Sequence, residues 1–260
     1  MSMIDLHCHV LPGIDDGPRA IEDSLLLARA AASAGIRTIV ATPHVSREYP
    51  NDADTIARLV DDVSARLAAE GLPLELRGGA EIAMTMVDRI APEELPRLTL
   101  GGGPWLLIEC PFTSLATGFD VLLEKLQSQD HRIVIAHPER SPFFHRDPQL
   151  LGSLARSGIL TSITAGSLIG RFGGRVQRFT RELVQDELVH NVASDAHSRT
   201  GRPPSIQVEL EQSGLSPLAD WLTQAVPAAI LAGDQIPSRP PVTISLQKTR
   251  RGWSRKKNRG

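Results

Sequence analysis

Histidine and carboxylate residues recur along this chain at positions that share one chemistry. They stand in Asp5-Leu6-His7-Cys8-His9, Ala41-Thr42-Pro43-His44, Gly79-Ala80-Glu81, Leu107-Ile108-Glu109, Ala136-His137-Pro138-Glu139-Arg140 and Ala193-Ser194-Asp195-Ala196-His197. Neutral imidazole and carboxylate oxygen bind Zn, Mn or Fe, and no thiolate cluster favours a sulfur site. His7 and His9 are two apart on a strand end, so they point to the same side. Such a pocket would lower the pKa of metal-bound water and generate hydroxide at neutral pH.

These groups need a scaffold that brings distant positions together. Strand-like apolar runs occur at 3–6, 36–41, 74–77, 105–108, 133–136, 159–163 and 189–193. Helical patterns lie between most of them, at 21–33, 56–69, 121–126, 149–156 and 176–187, with a packing helix at 219–231. In 56–69, Leu59, Val60, Val63 and Leu67 share one face by the 3–4 spacing. Strands alternating with helices predict a parallel α/β sheet with crossover helices. At this length a closed (β/α) barrel is favoured over an open sheet, which periodicity alone does not separate from it. The candidate ligands follow six of the seven strands, and in a parallel barrel all those ends lie on the active-site face. Singly, an H-x-H is often a surface pair and a strand-end glutamate an ordinary exposed carboxylate. Their joint placement is what points to a metal site.

Neighbouring residues extend the pattern. Asp15-Asp16-Gly17-Pro18 suits a turn and a helix start. Asp15 is assigned to that turn, and Asp16 to the pocket as a further ligand. Arg140 and Arg202 would sit at the pocket rim, where a guanidinium calls for an anion such as phosphate. The run 166–173, Gly-Ser-Leu-Ile-Gly-Arg-Phe-Gly, suits a tight loop at the mouth but lacks the lysine of a P-loop. Neither Cys8 nor Cys110 has an arginine six positions on, and no Gly-x-Ser-x-Gly occurs, so metal-activated water is left as nucleophile. His131, His145 and His190 fall outside the scheme and read as structural or solvent-facing.

Composition sets the frame. The chain has 260 residues, 41% hydrophobic and 22% charged, ordinary for a globular protein with one large core. It has no apolar run long enough to span a bilayer, and its start does not read as a secretory signal. Two cysteines give no disulfide framework and fit a reducing cytosol, so a cytoplasmic protein is expected. The net charge of −2 conceals an asymmetry: seven of the 28 basic residues lie in 247–260, which has no acid. The remaining 21 face 30 acidic residues, so residues 1–246 carry −9. An acidic body disfavours nucleic acid as a partner. The expected organisation is one domain over 1–235. A Pro-rich linker and a basic, disordered tail follow over 236–260, the tail with weak attraction to anionic surfaces.

The ordered motifs H-x-H with Asp-Asp-Gly, A-T-P-H, G-A-E-I, L-I-E-C-P-F, I-A-H-P-E-R, T-A-G-S-L-x-G-x-F-G and A-S-D-A-H with R-P-P resemble the PHP (polymerase and histidinol phosphatase) superfamily. Within it they look like the bacterial capsule-associated tyrosine-protein phosphatases. The resemblance runs from His7 to about Pro204. It implies a distorted TIM-like (β/α)7 barrel holding three divalent metal ions, manganese first, with iron and zinc as alternatives. It implies one ion on His7, His9, Glu81 and Asp195, a second on Glu81, Glu109 and His137, and a third on Asp16, His44 and His197. Arg140 and Arg202 match the family's phosphate-binding arginines. The implied activity is manganese-dependent protein-tyrosine phosphatase, with a metal-bridging hydroxide attacking phosphorus. The implied partner is a membrane-associated bacterial tyrosine kinase in capsule or exopolysaccharide synthesis. The rivals are a small-molecule phosphatase such as histidinol-phosphate phosphatase, a PHP nuclease or phosphodiesterase, and a scaffold with structural metal. The Pro-rich linker and basic tail depart from the family pattern.

Overall fold

A computed structural model describes residues 2–114 and 116–244 of the chain. The basic tail at 247–260 lies outside the described residues. Among the described residues nine strands, all paired in parallel, run β1 (Met3–Cys8), β2 (Ile36–Ala41), β3 (His44–Val45), β4 (Glu75–Gly78), β5 (Glu81–Ala83), β6 (Trp105–Glu109), β7 (Arg132–Ala136), β8 (Leu160–Thr164) and β9 (Asn191–Ala193). They form two sheets rather than one continuous ring: β1-β2-β4, and β3-β5-β6-β7-β8-β9.

The break between the sheets has a local cause. β2 pairs with β4 up to Ala41 opposite Gly78, and β3 pairs with β5 from His44 opposite Glu81. Two neighbouring chains therefore change sheet in step, through Thr42-Pro43 and Gly79-Ala80. Pro43 has no N–H to continue a ladder. A side chain at Gly79 would meet Val40 Cγ1 at 2.9 Å and Thr99 O at 3.3 Å, so only glycine permits this approach. Across the other gap, Asp195 N–H donates to His7 O and His9 N–H to Ala196 O, both at 2.8 Å. A single parallel bridge joins Cys8 to Ala196. The end of β1 is thus fastened to the segment that follows β9.

The seven sequence-derived strands correspond to β1, β2, β4, β6, β7, β8 and β9. β3 and β5, at two and three residues, carry too little sequence to show a period. The crossover helices lie at Ile21–Ser33, Ala53–Ala69, Phe119–Ser128, Pro148–Arg156 and Gly174–Gln185. The second begins three residues before its apolar pattern, because Asp52 caps it by accepting from Thr55 N–H at 2.7 Å. The expected helix at 219–231 is a π-turn over Trp221–Ala225 running into the α-helix Val226–Ala232. No helix among the described residues is long and apolar enough to cross a membrane. The linker 236–242 has no regular secondary structure, yet it lies on the body. Trp221 Nε1 donates to Pro237 O at 3.0 Å, Arg239 reaches Val184 O at 3.4 Å, and Ile236 packs against the core.

Candidate metal centre

Strand ends place the candidate ligands. His7 lies within β1 and His9 just past it; His44 begins β3, Glu81 begins β5 and Glu109 ends β6. His137 follows β7, while Asp195 and His197 follow β9. His137 and Asp195 have positive φ, +29° and +51°, so the chain kinks as it leaves each strand. Non-glycine residues are held there only where their surroundings over-determine the conformation, commonly at functional sites.

The side chains converge on Glu81. His7 Nε2 and His9 Nε2 are 3.2 and 3.3 Å from its Oε2, and each is 3.5 Å from Asp195 Oδ1. His137 Nε2 is 2.7 Å from Glu81 Oε1 and 3.6 Å from Glu109 Oε1. Asp16 Oδ1 is 3.0 Å from His197 Nε2 and 3.5 Å from His44 Nε2. His44 Nδ1 also stands 3.0 Å from Glu81 Oε2, so its ring lies between the two groups. Four sets place their ligand atoms within 4.8 Å of one another: His9, Asp16, His44 and His197; His7, His9 and Asp195; His7, Glu81 and His137; His44, Glu81 and Glu109. All nine sequence-derived ligand candidates fall in these sets. The sets overlap more than the resemblance implies, with His9 beside Asp16 and His44 beside Glu109.

Two atoms test whether a cation fits. Glu81 Oε2 and Asp195 Oδ1 are buried and lack a hydrogen-bond partner. Lone pairs left so are costly in a dry interior, and a cation among these imidazoles would satisfy them. The donor set, all nitrogen and oxygen, suits Zn, Mn or Fe.

Electrostatics follow from burial and neighbours. Burial opposes charge on His9, but Asp15 and Glu81 outweigh it and lift its pKa to about 9. His44, against the same penalty, is lifted to about 11 by Asp16 and Glu81. Burial, then the Glu81 charge, push Glu109 up to about 8. Burial and Arg140 bring His137 down to about 4. Burial works against charge on Asp195, but His7 and Arg202 hold its carboxyl below the usual range.

Both arginines converge on Asp195. Arg140 Nη1 donates to its Oδ2 at 2.5 Å, and Arg202 Nη2 donates to the same oxygen. Burial pushes the thiol of Cys8 well above its ordinary value, and that of Cys110 up to about 11. Neither is a thiolate at neutral pH.

Behind the centre lie three carboxylates that the sequence reading gave no part in it. Asp15 turns inward: its Oδ2 is 2.7 Å from His9 Nδ1 and accepts His44 N–H at 3.2 Å, while Oδ1 accepts Gly17 N–H at 2.9 Å. It serves the turn as expected and also fixes His9. A buried ligating histidine needs a partner on its second nitrogen, and that requirement is the signal that marks Asp15. Asp5, fully buried, accepts from Ser194 N–H at 3.0 Å and Ser194 Oγ at 2.5 Å, tying β1 to the β9 end. Glu139 accepts from Thr164 N–H at 3.0 Å and Ser167 Oγ at 2.7 Å, holding the turn that carries Arg140. The run 166–173 forms the short helix Ala165–Leu168 and a turn through Gly170 and Gly173. His145 Nε2 is 2.7 Å from Glu139 O, and His190 Nδ1 accepts Thr161 N–H at 3.2 Å, both away from the ligand sets.

Comparison with known proteins relates the chain to a family. The family model described as capsular polysaccharide synthesis, CpsB/CapC, matches residues 3–212. Tyrosine-protein phosphatase YwqE of Bacillus subtilis (strain 168) is 36% identical over 252 residues, covering 95% of this chain and 98% of its own. Tyrosine-protein phosphatase CpsB of Streptococcus pneumoniae is 30% identical over 217 residues, covering 79% and 87%. A solved chain from the crystal structures of YwqE and CpsB, described as metal-dependent tyrosine phosphatases, matches with a TM-score of 0.82 at 36% identity. The match covers 94% of this chain and 100% of that one. Dihydropyrimidinase from Brevibacillus agri shares the fold alone, with a TM-score of 0.55 at 11% identity. With residues 3–212 inside the family model and YwqE aligned along nearly its whole length, the chain belongs to the CpsB/CapC family of capsular polysaccharide synthesis.

Proposed function

We propose that the chain is a metal-dependent protein-tyrosine phosphatase acting in capsule or exopolysaccharide synthesis. The observation that carries the chemistry is the pair of buried oxygens on Glu81 and Asp195 that make no hydrogen bond, set among four ligand sets. The names of the relatives carry the substrate class. His7, His9, Glu81 and Asp195 would hold one ion, Glu81, Glu109 and His137 a second, and Asp16, His44 and His197 a third. Manganese is the proposed metal. Divalent ions there would supply Lewis-acid activation of water and positive charge opposite the phosphate oxygens.

The remaining work falls to side chains on the page. Arg140 and Arg202, aligned by their shared bond to Asp195, bind the phosphate oxygens and stabilise charge that builds on them. Asp15 holds the His9 ring and Glu139 the Arg140 turn, so neither group must reorganise on binding. The raised thiol pKa values leave Cys8 and Cys110 outside the reaction. Phenolate, of pKa about 10, leaves without a strong general acid.

The two sheets are read as arcs of the distorted (β/α)7 barrel, with residues 1–235 as one domain. The phosphoprotein is proposed to be a membrane-associated bacterial tyrosine kinase, met in the cytoplasm. Initial rates on a phosphotyrosine peptide, a phosphoserine peptide and histidinol phosphate, with and without Mn²⁺, test the assignment. Metal-dependent preference for the phosphotyrosine peptide is expected. Equal or better turnover of histidinol phosphate would overturn it in favour of the small-molecule reading.

A further inference from the structure

Aromatic residues are scarce here, at 4% of the chain, and most are spent on the core. Trp105, Phe119, Phe144, Phe179 and Trp221 are buried, and Phe143 packs against them. Phe112 is the exception. It is 50% exposed, and no other aromatic appears among the exposed large hydrophobic side chains of the described residues. Its ring stacks on His137, with centroids 5.6 Å apart and planes 23° apart. The guanidinium carbon of Arg140 lies 5.2 Å from the Phe112 centroid and 4.5 Å from that of Phe172. Arg202 lies 6.0 Å from the Phe172 ring. One half-exposed ring, Phe112, and one partly buried ring, Phe172, therefore flank the guanidinium assigned to phosphate.

Both rings are held in place. Ser141, the residue after Arg140, donates from Oγ to Pro111 O at 3.3 Å and ties the Phe112 segment to the arginine turn. Phe172 sits between Gly170 and Gly173, whose φ values of +86° and +92° set the tight turn that presents it. Neither ring is needed to complete the core. An apolar face kept half open beside a polar site is a contact surface for a ligand that is part apolar and part charged.

We infer that Phe112 and Phe172 are specificity-determining residues, a pair of aromatic walls that select aryl phosphate esters over alkyl ones. The inference rests on the phosphatase reading and deepens it. With phosphate on Arg140, a tyrosyl ester places its phenyl ring directly beside these faces and covers them. A seryl ester places one methylene and polar peptide backbone there, which leaves the walls wet and the backbone poorly hydrated. The walls thus reward the ring next to the phosphate, independently of the bond that breaks.

The test compares wild type with Phe112→Ala, Phe172→Ala and Phe112→Tyr, all metal-loaded. Matched phosphotyrosine and phosphoserine peptides give the ratio of kcat/KM, and inhibition is measured with phenylphosphonate and inorganic phosphate. Each alanine variant is expected to lower the tyrosine-to-serine ratio about tenfold, mainly through KM, and Phe112→Tyr to keep the ratio. Phenylphosphonate inhibition should weaken more than phosphate inhibition. An unchanged ratio in both alanine variants would overturn the inference. So would an equal loss on both peptides with weaker phosphate inhibition, since that means the rings only brace Arg140. If wild type hydrolyses neither peptide, the phosphatase reading fails by itself. Calorimetric binding of phenylphosphonate against methylphosphonate then decides the walls: a phenyl preference lost in the alanine variants supports them, and equal affinities overturn them.

Discussion

Asp15 and Asp16 are adjacent, chemically identical and differently employed. Asp16 reaches His44 and His197, while Asp15 backs His9 at 2.7 Å and accepts the His44 amide. From sequence the two are separable only by supposing that one of them faces the ligands. Which histidine nitrogen needs a partner is a fact of three-dimensional packing, not of spacing. The candidate ligand types were legible, because histidine and carboxylate recur at successive strand ends. The flanking aromatic rings were not, because Phe112 and Phe172 lie in loops without periodicity. The Asp15–His9 contact has a measurable consequence. Partners behind metal-bound histidines fix ring orientation and raise basicity, and their loss typically costs about 10–100-fold in metal affinity. Asp15→Ala should weaken Mn²⁺ binding by about that factor, read by competition with a fluorescent chelator. Asp15→Asn, which keeps an acceptor without the charge, should lie between. Affinities equal to wild type in both variants would remove Asp15 from the centre.

At the scale of elements, the long strands and helices were readable and the short ones were not. β6 and β7 announce themselves as apolar runs, whereas β3 and β5 are two and three residues long. Yet those two carry His44 and Glu81, and they exist because β2 and β4 change sheet together at Pro43 and Gly79. The last helix shows the same limit. Its apolar pattern is continuous, but Pro227 has no N–H to offer the turn before it. The chain answers with a π-turn over Trp221–Ala225. Within that turn Leu222 O would look to residue 227 for its donor, and Asn191 Nδ2 supplies one instead at 3.0 Å. Asn191 is fully buried, and its Oδ1 accepts from Ser162 Oγ at 2.5 Å. One side chain of β9 therefore completes both β8 and the terminal helix. Asn191→Leu keeps the branched shape, with somewhat more bulk, and leaves two buried polar groups unpaired, so it should cost about 2 kcal/mol. Urea unfolding at neutral pH measures this, and a loss below about 0.5 kcal/mol would mean that water or repacking satisfies Leu222 O.

Across the whole molecule, the acidic character of residues 1–246 has a partial address. Glu81 and Asp195 are buried, and with Asp16 and Glu109 they stand within one cluster of imidazoles and two arginines. Without cations, histidines and arginines are the only positive charges that the described residues offer to these carboxylates. That arrangement leaves Glu81 Oε2 and Asp195 Oδ1 without hydrogen bonds in the interior. The cluster is assembled from both sheets, since β1 belongs to one and β3, β5, β6, β7, β8 and β9 to the other. A cation held among His7, His9, Glu81 and Asp195 would therefore join the two sheets at the seam where β1 meets the end of β9. Binding to the folded state alone stabilises it by about 2.7 kcal/mol at a hundredfold excess over Kd. For a domain of this size that corresponds to a rise in Tm of roughly 5–10 °C. Chelator-treated protein should melt lower by about this amount and recover on addition of Mn²⁺, with Tm climbing logarithmically beyond saturation. Glu81→Gln, which removes the carboxylate shared between ligand sets, should flatten that dependence. A wild-type Tm that ignores both chelator and Mn²⁺ would show that the cations contribute nothing to holding the two sheets together.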